Sequence, residues 1–154
     1  MIATAELFGA ALGCNVSVSR TTHVELPGFG CGRAFEEYGD LEFQDEKARL
    51  DNFAIQLSNE PLSSGYILMS AGQETFENEA TERLDRAKSY LVNVREIDPS
   101  RVVTIDCGFT RDLTIRLYIA LLGAALPECS NAVEIPLHEV KFTKPRPKAS
   151  KKQR

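Results

Sequence analysis

Arg83, Arg86 and Tyr90 stand three and four residues apart in the middle of this chain. On a helix that spacing puts all three on one flank, where two guanidinium forks beside a phenol make a small anion-receptive patch. Two plainer readings compete with it. A tyrosine can simply lie along arginine stems, and Arg86 follows Glu82 by four residues, the favourable acid-first order for a surface ion pair. Asp106 and Cys107 precede Gly108 at the end of a β-branched run. Strand ends often carry active residues, and a buried thiol beside a turn-forming aspartate accounts for the pair equally well.

Other chemistry is sparse. There is no Gly-x-Ser-x-Gly and no phosphate-cradling glycine loop. Neither of the two histidines, His23 and His138, lies within helical or hairpin reach of a cysteine. Cys14, Cys31, Cys107 and Cys129 are too widely spaced for a zinc ribbon. An even count suits two disulfides in an oxidising compartment or four buried thiols in a reducing one, with the pairing open. No cofactor or metal is expected. Asn15-Val16-Ser17 fits a glycosylation sequon that chance also produces.

Charge divides the chain. From Lys141 onward there are seven basic residues and no acid, against 18 basic and 22 acidic residues in all. The remaining body is strongly acidic, which argues against a nucleic-acid-binding face. The Lys- and Pro-rich tail, 141–154, reads as a solvated, disordered end. No apolar run is long enough to span a bilayer. Met1–Cys14 ends in a short stretch of small apolar residues that faintly suggests a lipoprotein cleavage site, but Glu6 interrupts it and no positive n-region precedes it. A packed N-terminal helix is the expectation there.

Elements follow from periodicity. Asn15–Leu26 carries a weak strand signal, and Pro27–Gly32, with three glycines and a proline, marks a boundary. Leu41-Glu42-Phe43 alternates like a short strand. Leu50, Phe53, Ala54 and Leu57 make a helical stripe opened by Asp45 and Glu46. Gly65–Ser70 is a continuous apolar run suited to a buried strand, and Ala71–Asn78 is a polar loop. Ala80, Leu84, Ala87, Leu91 and Val94 form the cleanest helical stripe, closed by Asp98-Pro99. Arg101–Cys107 is a β-branched strand. Leu113, Ile115, Leu117 and Ile119 alternate in another, expected to pair with it as a hairpin. Val133–Leu137 is at best a short edge strand. The order β-α-β-α-β-β predicts a two-layer α/β (α+β) sandwich, two helices on one face of a mixed sheet. It occupies 33–122, between an extension at 1–32, another at 123–140, and the tail.

That order and the stretch Glu82–Asp106 (ERLDRAKSYLVNVREIDPSRVVTID) resemble the OmpA-like C-terminal domain. The Arg-Ala pair is Arg86-Ala87, the following apolar position Leu91, the turn Ile97-Asp98-Pro99, and the next strand starts at Arg101. The resemblance covers roughly residues 34 to 120 and implies cell-wall attachment in the periplasm or outer envelope. In that family an aspartate in the loop after the second strand meets the amine of the diaminopimelate in a peptidoglycan stem peptide. The arginine of the Arg-Ala pair meets its carboxylate. Arg86 matches. The aspartate falls at Ala71 or Gly72 and is missing, with Glu74, Glu77 or Glu79 as displaced substitutes. The Leu-Ser before the pair is replaced by Glu82-Arg83.

These readings lead to a non-catalytic envelope binding or scaffolding module. Arg86, Arg83, Tyr90 and Glu74 are its candidate ligand residues, and a peptidoglycan stem peptide or envelope proteins its partners. The alternative is an accessory subunit of a larger complex whose extensions wrap its partners. A small enzyme with its site at Asp106 and Cys107 comes third.

Overall fold

The structure, a computed structural model, describes residues 2–7, 18–23, 32–121, 124, 127–129 and 134–144, the first two stretches by backbone alone. Near the N-terminus, β1 (Ile2–Leu7) pairs antiparallel with β2 (Val18–His23). A strand therefore stands over the first part of Met1–Cys14, the segment expected to form a packed helix. Leu7 is the last described residue before Val18, so most of the run from Leu7 to Cys14 lies outside the described residues.

The main unit begins with β3 (Arg33–Tyr38), followed by α1 (Phe43–Asn59), β4 (Ser63–Ala71), β5 (Glu74–Phe76), α2 (Glu79–Asn93), β6 (Val102–Phe109), β7 (Thr114–Leu121) and β8 (Lys141–Thr143). Both helices pack on one face of a mixed four-stranded sheet of order β3-β7-β4-β6. The predicted β-α-β-α-β-β order is present. The helical stripes are the core: Leu50, Phe53, Ala54 and Leu57 of α1, with Ala80, Leu84, Ala87 and Leu91 of α2, are buried against Ile67, Met69, Leu117 and Ile119. Val94, the last stripe position, falls beyond the end of α2 and is exposed.

Three local readings are corrected. Leu41 and Glu42 lie in the loop and Phe43 opens α1, so the first strand of the main unit is β3, Arg33–Tyr38. The β6–β7 hairpin does not form. β6 pairs parallel with β4, and β7 inserts between β3 and β4, antiparallel to both. The reason lies in the second sheet face, where Tyr66, Leu68 and Ala120 are buried with Tyr118 packed against them. β7 thus has apolar residues on both faces, the signature of a central strand. Finally, residues 134–136 form no strand and lead into a 3-10 turn at Leu137–Glu139, where an edge strand over Val133–Leu137 was expected (Val133 lies outside the described residues), and Lys141–Thr143, at the head of the basic tail, pairs parallel with β5.

Two devices fix α1 to the sheet. Gly65 sits under α1, where an added Cβ would meet Phe53 Cζ at 2.7 Å and Leu57 Cδ1 at 2.8 Å. Arg101 donates to the carbonyls of Leu57 and Glu60 at the end of α1 and to that of Ser63 at the start of β4, at 2.7–2.8 Å, tying the α1–β4 connection to the strand that Arg101 precedes.

Candidate functional site

Arg86 projects from α2 toward α1. Its Nη2 donates to Glu46 Oε2 at 2.7 Å, and its guanidinium lies 4.3 Å from the centre of the Phe43 ring. Glu46 is 1% exposed, a position in which a carboxylate persists only if it is paired. Tyr38, at the end of β3, completes the pairing by donating its hydroxyl to Glu46 Oε1 at 3.3 Å. Burial, then the neighbouring Glu46 charge, pushes the Tyr38 phenol well above its ordinary range. Arg86 Nε is buried without a hydrogen-bond partner among the described residues. Glu82, the surface partner read from spacing, is exposed and makes no pair with Arg86.

The other three candidate residues go elsewhere. Arg83 bridges the loop before α1 to the start of α2, donating to Asp40 at 2.6 Å and to Glu79 at 2.9 Å. Burial works against its charge, and the two acids outweigh it, leaving the pKa raised. Tyr90 donates to Asp51 at 2.6 Å, and Arg95 donates to the same oxygen. Arg95 holds the Asp51 carboxyl below its usual range, while that carboxylate pushes the Tyr90 phenol up. Glu74 is exposed on β5, 3.8 Å from Lys141. The flank read from spacing is real, but each member is engaged by a different acid of a neighbouring element.

The missing aspartate has a structural counterpart. Ala71 is buried at the end of β4, and a Cβ on Gly72 would stand 3.1 Å from Leu113 N, so neither position offers an open carboxylate. Among the substitutes, Glu79 is buried and accepts from Thr75 Oγ1 at 2.8 Å as well as from Arg83. It is already satisfied as an internal group.

Sequence reasoning missed the open surface at this pole. Two adjoining clefts of about 660 and 440 Å³ flank the β6–β7 turn and share Gln73, Arg111 and Asp112. Arg111 and Asp112 are exposed and enter no ion pair among the described residues. Nothing in a short turn of Thr-Arg-Asp separates such a cleft from ordinary solvated charge. At the other end of the turn, Asp106 accepts from Gly108 N at 2.9 Å, and Cys107 is disulfide-bonded to Cys129. Cys14 and Cys31 lie outside the described residues.

Comparison with protein-family models, curated proteins and solved structures returns no match.

Proposed function

We propose that this chain is a non-catalytic cell-envelope module of OmpA-like type, serving attachment or assembly, that does not read peptidoglycan through Arg86. One observation carries the reading. The guanidinium that the resemblance assigns to a ligand carboxylate is already closed by Glu46, a carboxylate supplied from inside the fold. A stem peptide would have to displace a buried acid, leaving it uncompensated at roughly 3–5 kcal/mol, more than a charge-assisted contact returns. The Cys107–Cys129 disulfide supports an oxidising compartment such as the periplasm. The element order and the helices on one sheet face agree with what the resemblance implies.

A second reading, an accessory subunit of a larger complex, has its own support. Leu62 is 75% exposed and Leu121 60% exposed, and they adjoin at one sheet end, where Leu121 pairs in register with Ser63. Such a pair suits a protein contact.

Sedimentation with purified peptidoglycan sacculi tests the proposal. Wild type and Arg86→Ala should be retained equally, whether strongly or weakly. Retention by wild type that Arg86→Ala abolishes, with the variant still folded by circular dichroism, would show that the arginine grips the wall and would end the reading.

A further inference from the structure

Arg116 lies on β7 and faces away from the helices, toward the second sheet face. Its residue is 6% exposed. A guanidinium so deeply placed ordinarily has a carboxylate beside it. Glu37 stands opposite in register on β3, yet it is exposed and no ion pair joins the two. Among the described residues the side-chain contact of Arg116 is with sulfur: Nη2 lies 4.0 Å from Cys107 Sγ. Cys107 is half-buried on β6, whereas its disulfide partner Cys129 is exposed. The two sulfurs are therefore unequal. One is accessible to attack, and the other sits against a buried cation that favours its thiolate.

We propose that the Cys107–Cys129 disulfide is a thiol-exchange site whose polarity is set by Arg116. An external thiolate attacks Cys129 Sγ. A sulfur–sulfur bond forms between the incoming thiol and Cys129 as the Cys107–Cys129 bond breaks. The electron pair leaves on Cys107 Sγ, where the Arg116 guanidinium receives the charge. The product is a mixed disulfide at Cys129 with a thiolate at Cys107. The reverse step, attack by Cys107 on Cys129 Sγ, restores the bond and releases the thiol, so no outside oxidant is consumed. Thiols with pKa values near the ambient pH attack fastest and are the expected substrates. This site is separate from the Arg86 network and stands or falls independently of the scaffolding reading.

The test uses the full chain with reduced glutathione as the probe, quenched by alkylation and mapped by mass spectrometry. Glutathione should appear on Cys129 and the alkyl group on Cys107. Arg116→Gln should slow the exchange roughly three- to tenfold, the range open to a leaving thiol that has lost its stabilising charge, and Arg116→Lys should restore part of the rate. Glutathione found mainly on Cys107, or an unchanged rate in Arg116→Gln, overturns the proposal. Should Arg116→Gln fail to fold, a Cys129→Ala chain with Arg116 intact decides the matter. Its Cys107 should be alkylated with a pH midpoint below the value of about 8.5 for a free cysteine, and a midpoint at or above that value refutes the role given to Arg116.

Discussion

A carboxylate buried like that of Glu46 needs charge or hydrogen bonds on each oxygen, and the fold supplies one partner to each: Arg86 to Oε2 and Tyr38 to Oε1. Tyr38 can serve only while protonated, because a phenolate against Glu46 would set two buried negative charges together. Its folded pKa lies above that of the unfolded chain, which is about 10. The folded state thus keeps a proton that the unfolded chain releases. The associated stability is intact below about pH 10 and declines as pH rises further, by up to about 1.4 kcal/mol per pH unit. Urea midpoints measured from about pH 9 to pH 11 should fall more steeply for wild type than for Tyr38→Phe. Equal slopes would mean that Tyr38 titrates freely. Little of this network was legible beforehand. Asp45 and Glu46 read as acids suited to a helix start, which describes Asp45, exposed in the first turn. Nothing in sequence shows that one turn of α1 faces α2, so the burial of Glu46 and its claim on Arg86 depend on packing between elements.

Helix periodicity was the strongest signal in the chain, and the two stripes at 50–57 and 80–91 became the two helix faces of the core. Strand pairing was less legible, because alternation shows which faces are apolar but not which neighbour fills each side. The run Gly65–Ser70 indicated a doubly buried strand, and β4 lies between β7 and β6. The alternation from Leu113 to Ile119 indicated a single buried face. It hid the second, where Arg116 and Ala120 are also buried. Gly65 read only as the edge of an apolar run. In the fold it is the point where β4 and α1 approach too closely for any side chain. Phe53 and Leu57, the groups a methyl would strike, have no exposed surface and so no direction in which to yield. Gly65→Ala should therefore destabilise the domain by about 1–3 kcal/mol through overpacking, even though alanine has the better strand propensity. Chemical denaturation checks it, and a variant as stable as wild type would show that α1 can move off the sheet without loss.

At the scale of the whole molecule the two sheet faces are closed by different means. Amphipathic helices cover one, each joined directly to the strands it packs on. The other carries the smaller cluster of Tyr66, Leu68 and Ala120, against which Ala124, just past β7, is packed. A few residues on, the Cys107–Cys129 bond ties the segment containing Pro127 and Glu128 to the edge strand β6. Beyond it, Ile135 N donates to Phe109 O at 2.8 Å and Lys141 N to Gln73 O at 2.8 Å, carrying the chain across to β8. Among the described residues beyond β7, the disulfide is the covalent tie to the sheet. It closes a loop of 22 residues, and loops of that size restrict the unfolded chain by about 3 kcal/mol. A Cys107→Ser/Cys129→Ser chain should accordingly melt roughly 10 °C below wild type. The loss should appear as earlier unfolding of the whole domain, because β6 is hydrogen-bonded to the central strand β4 and cannot separate from the sheet without exposing its core. Calorimetry on the two chains decides it. Coincident melting curves would mean that helix packing alone sets the stability of the fold and that the bond is free to open without structural consequence.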